Sequence, residues 1–488
     1  MSQQAVKSET PVSEGEAARA PVAGLVAKGR AAMASLTGAD QDRVDDAVRA
    51  LAWSLYKPEN ARALAEMAVA DTGLGNVPDK IIKNQRKTFG CLRDLLRVRS
   101  VGVIEEDKAR GLTIYAKPVG VVAAVTPSTN PAATPINKAM MAIKGRNAII
   151  LAPSPAGWPT TARTAELARA ELEKAGHDPD LLQILPQPVT REATKALMAA
   201  ADLIVCTGSQ NNVRAAYSSG TPAIGVGVGN VSVIIDESAD LTDAAEKICA
   251  SKIFDNATSC SAENSVIILD EIYGPAIEAL EAAGGYLATA RECDRIAAAL
   301  WRDGKLSRDL LAKDAAVLAA HCGLPEAAQN ASFFMVEESG AGPDHPFSGE
   351  KLSLVLAVYR ARDFADAKRI FRAIMAYQGA GHSVGLHTGD MERARELAEE
   401  LDVVRVLVNQ AHTFGNGGSF DNGLNFTLSM GCGTWGGNSI SENLNWRHFV
   451  NLTHLVTTIP EDRPSEEELF GAYWTKYGKQ VGMMSTPE

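Results

Sequence analysis

Cys260 stands in a run of small and polar residues, Asn256-Ala257-Thr258-Ser259-Cys260-Ser261-Ala262-Glu263-Asn264. A thiol in such a loop can act as a nucleophile: small neighbours let backbone N–H groups approach a developing oxyanion, and an open loop admits substrate. The plainer reading is a small loop residue. The other cysteines, at 91, 206, 249, 293, 322 and 432, are scattered, and no two form a Cys-x-x-Cys pair. That spacing reads as reduced thiols, with no zinc or other metal expected. Asn130, in Thr126-Pro127-Ser128-Thr129-Asn130-Pro131, is a neutral amide donor suited to an oxyanion. It follows an expected strand, where ligands of open α/β sheets bind, although it would serve equally as a helix cap or turn residue.

Three glycine-rich segments add candidates. Thr207-Gly208-Ser209 lies where a strand hands over to a helix and can receive a phosphate, or can be an ordinary capped turn. The segment from Gly225 to Asn230 lacks the full Gly-x-Gly-x-x-Gly spacing and a following helix, so it is a weak phosphate loop. Gly431-Cys432-Gly433-Thr434-Trp435-Gly436-Gly437-Asn438-Ser439 suits close backbone approach to a ligand or subunit. His382, after Gly379-Ala380-Gly381, begins a strand and is either a base or a structural histidine.

The elements around these residues follow from periodicity. Residues 21–71 and 78–97 read as helices, with Val44, Val48, Leu51 and Leu55 on one face. Residues 101–104 and 112–118 read as a hairpin able to pair subunits. Apolar runs at 120–125, 147–151, 181–185, 203–206 and 224–228 alternate with helical stretches, the βαβ rhythm of a parallel sheet. A second series occupies 231–236, 265–269, 333–336, 353–357, 383–387 and 405–409. The expected fold class is therefore α/β, with two doubly wound parallel-sheet domains. A nucleotide-binding domain would span 21–230, with the hairpin at 101–118 for oligomerisation. A catalytic domain carrying the nucleophile would span 231–430, and a return segment and oligomerisation tail 431–488. Homodimers or homotetramers are expected.

The 488 residues carry 48 Lys and Arg against 59 Asp and Glu, a formal charge of -11. That charge repels polyanions and anionic lipid, so neither nucleic acid nor membrane is an expected partner. No apolar run approaches the ~20 residues of a membrane-spanning helix. The first twenty residues hold no apolar stretch of the ~7–15 residues found in a secretory leader. A cytoplasmic protein is expected.

Taken in order, these segments resemble the aldehyde dehydrogenase superfamily, and within it the coenzyme A-acylating branch, over about residues 21–456. The resemblance implies that Cys260 is the nucleophile, Asn130 its oxyanion partner and Glu350 the glutamate holding the nicotinamide ribose. His382 falls where that branch places a histidine with a catalytic role. Thr126, Ser154, Arg163, Gly208, Ser209 and Gly229 would contact the cofactor. Hydrolytic members carry a general-base glutamate where this chain has Val226, so the implied acyl acceptor is coenzyme A. The stretch from Ser154 to Arg163 offers hydroxyls, an arginine and no carboxylate, which leans the cofactor from NAD towards NADP. The segments around Gln410, Ser419 and Met430 are similar to acylating sulfoacetaldehyde dehydrogenases. This implies a sulfonated aldehyde, with Arg447 and His448 as candidates for its far end and acetaldehyde or succinate semialdehyde as the alternatives.

Overall fold

The computed structural model describes residues 14–479. Most of the stretch assessed for a leader, and residues 480–488 of the expected tail, lie outside the described residues. Four helices open the chain: α1 (Glu14–Met33), α2 (Gln41–Tyr56), α3 (Pro58–Thr72) and α4 (Val77–Leu96). The Asn76 side chain caps α4 by accepting the Asp79 N–H at 2.9 Å. The buried face of α4 holds Lys80, Lys83, Lys87, Cys91 and Leu95. Its spacing is helical, but its amino-terminal half buries ammonium groups rather than aliphatic ones. A hairpin follows, β1 (Gly102–Asp107) and β2 (Leu112–Pro118), paired antiparallel.

The first parallel sheet contains β3 (Val121–Thr126), β4 (Ala148–Pro153), β5 (Leu182–Ile184), β6 (Leu203–Thr207) and β7 (Ala223–Val226) in the order β5-β4-β3-β6-β7. Side chains alternate across it. Val122 and Ala124 join the core beneath α2, α5 (Ala133–Lys144) and α6 (Trp158–Lys174). Val121, Ala123 and Val125 join the core beneath α1, α7 (Arg191–Ala200) and α8 (Gln210–Tyr217). Burial on both faces is why β3 reads as an unbroken apolar run. The strand order reverses beside β3, opening a crevice at the carboxyl ends of β3 and β6.

The second sheet is built likewise. It comprises β8 (Val231–Ile235), β9 (Glu263–Leu269), β10 (Gly285–Leu287), β13 (Phe333–Glu337), β14 (Val355–Ala361), β15 (Val384–His387) and β16 (Val406–Val408), ordered β10-β13-β14-β9-β8-β15-β16. A small hairpin, β11 (Trp301–Arg302) and β12 (Lys305–Leu306), stands apart from it. Helix α9 (Leu241–Ile253) carries the chain from β8 towards β9.

The structure departs from the expected elements in several places besides the β11–β12 hairpin, which no sequence pattern announced. The strand expected at 353–357 begins at Val355, after Leu352 takes a left-handed φ of 44°. β10 is too short to show a period. β17 (Val450–Val456) was unexpected and pairs with β2 along seven residues, from Val450↔Pro118 to Val456↔Leu112. Its mixed pattern, Val-Asn-Leu-Thr-His-Leu-Val, is that of a solvent-facing edge strand, held by main-chain bonds rather than burial. Among the described residues no helix is long and apolar enough to cross a membrane.

Candidate active site

The carboxyl ends of the first sheet face the amino ends of strands in the second across a cavity of about 450 Å³. Thr126, Asn130, Ser154, Gly208 and Ser209 line it from the first sheet. Cys260, which precedes β9, and Glu350, which precedes β14, line it from the second. Of the seven cysteines, only Cys260 and Cys293 are partly exposed, and Cys260 is the one at the cavity.

The nucleophile loop is held under backbone strain. Asp255, Asn256 and Ala257 take φ values of 51°, 52° and 58°, a left-handed run that side chains with a Cβ resist by about 1 kcal/mol or more each. Tertiary bonds oppose that cost. The Asp255 carboxylate, wholly buried, accepts from Lys80 at 3.0 Å, from Lys83, and from the Thr258 hydroxyl at 2.7 Å. The Asn256 amide donates to Asp314 at 2.7 Å and to the Ala312 carbonyl at 3.2 Å. Burial raises the Asp255 pKa, but Lys83 and Lys80 outweigh it, and the group stays below its usual range.

Asn130 does not cap α5. That cap position is Ala132, without a side-chain bond, and among the described residues the Asn130 amide makes only a 3.4 Å contact to Thr129 while its oxygen has no partner. The amide is thus placed at the cavity with its hydrogen-bonding capacity unspent. The Thr126 hydroxyl is also buried, on the cavity wall and without a partner among the described residues. Ser209 caps α8 through Asn212 at 3.4 Å and still lines the cavity.

Gly229 lies between the two catalytic candidates of the second sheet. A Cβ there would stand 2.9 Å from both Cys260 Cβ and His382 Nε2, and 2.3 Å from the Cys260 carbonyl oxygen. Only glycine lets the thiol-bearing loop and the imidazole come so close. His382 is buried, its Nδ1 is 2.7 Å from the Ser383 hydroxyl, and its Nε2 has no partner among the described residues. Burial, then the Arg405 and His412 charges, hold it well below its ordinary pKa, so the imidazole is neutral. Arg405 donates to the His382 carbonyl at 3.2 Å and the Gly431 carbonyl at 2.7 Å, tying this corner to the glycine-rich return segment.

Three expected contacts are corrected. Arg163 does not line the cavity: its guanidinium is half-exposed on α6 and pairs with Glu166 at 2.7 Å, one helical turn on. Arg447 and His448 do not reach it either. They sit on the short turn Trp446–Phe449, whose Phe449 carbonyl accepts from Asn147 at 2.7 Å at the amino end of β4, the opposite end of the sheet from Asn130. There Arg447 lies over the Trp446 ring and His448 pairs with Glu442 at 3.2 Å. A second cavity was not expected from the sequence. It adjoins the first through Asn130, Ser259, Leu428 and Met430, and α4 supplies Lys83, Arg86 and Lys87 to its wall. The signal available was a helix carrying Lys80, Lys83 and Lys87 on one face with a single acid, Asp79, in its first turn to match them.

The comparisons agree with this geometry. A model of the aldehyde dehydrogenase family matches residues 16–294. The chain is 54% identical over 470 residues to a sulfoacetaldehyde dehydrogenase (acylating) of Cupriavidus necator, covering 96% of this chain and 95% of that protein. It is 39% identical over 449 residues to a succinate-semialdehyde dehydrogenase (acetylating) of Clostridium kluyveri, covering 92% and 98%. The crystal structure of an acetylating aldehyde dehydrogenase from Geobacillus thermoglucosidasius superposes with a TM-score of 0.88 at 33% identity, covering 93% of this chain and 100% of that one. A cysteine set between two facing parallel sheets, matched in sequence and in fold along almost the whole chain, has one explanation: the protein belongs to the aldehyde dehydrogenase family.

Proposed function

We propose that the protein oxidises sulfoacetaldehyde to its coenzyme A thioester through an acyl group held on Cys260, in the cytoplasm. The observation that carries the acylating reading is the cavity wall. Among its described lining residues Glu350 is the only carboxylate, and Val226, at the end of β7, is an apolar, buried side chain. An acyl group on Cys260 therefore meets no carboxylate at Val226 to activate water and passes to a thiol instead. The relatives from Cupriavidus and Clostridium, an acylating and an acetylating dehydrogenase by name, support the same reading.

The residues present fit a nicotinamide dinucleotide. The unpartnered Thr126 hydroxyl, the Ser209 turn and Glu350 line one cavity at the crevice of the first sheet. When bound, the nicotinamide supplies the hydride acceptor. We favour NADP over NAD because no carboxylate lines the wall near Ser154; Arg163 would have to exchange Glu166 for a 2′-phosphate. In the reaction the Cys260 thiolate adds to the aldehyde carbon, and the Asn130 amide and the Cys260 backbone N–H donate to the resulting oxyanion. Loss of hydride from that carbon leaves the thioester on Cys260. The neutral His382 accepts the thiol proton of coenzyme A, whose thiolate attacks the thioester carbon and releases Cys260. The exposed side chains of β17, Leu452, Leu455 and Val456, together with Phe470 and Tyr473 of the helix Glu466–Tyr477, would pair copies of the chain.

The test is NADPH and NADH formation from sulfoacetaldehyde and acetaldehyde, each with and without coenzyme A. Turnover is expected to require coenzyme A and to favour the sulfonated aldehyde. Release of free acid at an equal rate without coenzyme A would overturn the acylating reading. In the same assay Asn130→Ala is expected to lower kcat about 10²–10³-fold, the usual effect of removing one oxyanion donor.

A further inference from the structure

We propose that Lys83, Arg86 and Lys87, on consecutive turns of α4, form an anion subsite beside Cys260 that takes the sulfonate head of the substrate. The assignment rests on the reading of Cys260 as the nucleophile and adds the residues that recognise the far end of the aldehyde. These three cations line a cavity of about 30 Å³ that shares Asn130 and Ser259 with the wall beside the thiol. One water needs about 10–15 Å³ by the same measure, so only a small head group fits, a short distance from the reacting carbon. Phe254 and Phe414, with ring centroids 4.7 Å apart, form its apolar wall.

The charges do not balance without a ligand. Lys83 is neutralised by Asp255, which it shares with Lys80. Lys87 is buried and, among the described residues, donates only to the Gly417 carbonyl, at 2.9 Å. Arg86 donates to the Ser419 hydroxyl at 2.9 Å, leaves its buried Nε without a partner among the described residues, and feels the Asp421 carboxylate as its opposing charge. Neither Lys87 nor Arg86 enters an ion pair with a described residue. Burial, then the charges of Arg86 and Lys83, push Lys87 down to about 7. A buried cation cluster short of counter-ions is costly unless it meets an anion. A sulfonate presents three acceptor oxygens in a tetrahedral array, which suits ammonium and guanidinium donors arriving from different directions. It also remains ionised at every pH at which the enzyme would work.

The test uses ethanesulfonate, an unreactive mimic of the substrate, with ethyl methyl sulfone as its neutral isostere and propionate as its carboxylate counterpart. Protection of Cys260 from iodoacetamide is measured in the wild type, Arg86→Met and Lys87→Met, with thermal unfolding to confirm that each variant is folded. Ethanesulfonate is expected to protect best, and its half-protecting concentration to rise at least tenfold in each variant; Lys87→Arg is expected to recover part of the loss. Protection that is equal in the variants, or equal with the sulfone or with propionate, would overturn the assignment. Turnover separates it from the substrate reading. If the wild type oxidises sulfoacetaldehyde and Arg86→Met keeps the wild-type ratio of kcat/KM for sulfoacetaldehyde over acetaldehyde, the subsite falls and the reaction stands. If sulfoacetaldehyde is not oxidised but protection depends on Arg86 and Lys87, the subsite stands and the substrate falls.

Discussion

Cys260→Ala is expected to abolish dehydrogenase turnover, by about 10⁴-fold or more, while leaving the protein folded. A covalent nucleophile divides one difficult acyl transfer into two easier ones, and nothing else at the cavity can take its place. Cys260 is only partly buried and lines the existing cavity, so its loss makes no new enclosed cavity, and the unfolding midpoint should scarcely move. The resting thiol is not ionised. Burial first, then the Glu350 carboxylate and Cys432, push it up to about 12, with Arg405 pulling the other way. A raised thiol pKa means that the thiolate is the minor species near neutrality and that its fraction grows about tenfold per pH unit. Alkylation of Cys260 by iodoacetamide in the ligand-free enzyme should therefore rise about tenfold per unit between about pH 7 and 9. A plateau within that range would show that Arg405 outweighs burial.

Asp255→Ala is expected to cost about 3–5 kcal/mol of stability and most of the activity. Breaking a buried ion pair leaves its partner uncompensated, and here two ammonium groups, Lys80 and Lys83, lose one carboxylate. The same carboxylate anchors a left-handed backbone run five residues before the nucleophile. Its removal lets that run relax and moves the Cys260 thiol away from Asn130. Chemical denaturation and kcat, measured on one preparation, check both effects. Asp255→Asn keeps the shape and an acceptor for Thr258, so it should lie between the wild type and alanine. A full loss of stability with kcat unchanged would detach the ion pair from the positioning of the loop.

The parallel sheets were legible because both faces of their strands are buried, which writes a continuous apolar run such as Val121 to Val125 into the chain. β17 was not, because an exposed edge strand needs no apolar period. Cys260, Asn130 and His382 could be singled out from residue type and local pattern, and Glu350 from the family resemblance; Cys260, Asn130 and Glu350 line one cavity. Arg447 and His448 show the limit of that method. They are close in sequence to a glycine-rich segment that borders the active-site region, yet a local turn carries them to the far end of the sheet.

The basic face of α4 shows the same limit from the other side. Helical spacing was visible, but whether a face of lysines meets water or an enclosed cavity depends on what packs against it. Here the counter-ion of Lys83 lies 172 residues away in sequence. The sequence by itself determined the α/β class, the chemical types at the active site and the absence of a carboxylate at Val226, because those are properties of local pattern and composition. Only the tertiary structure decided which charges are buried together and which end of each sheet faces the thiol, because both depend on long-range packing that no short stretch of chain encodes.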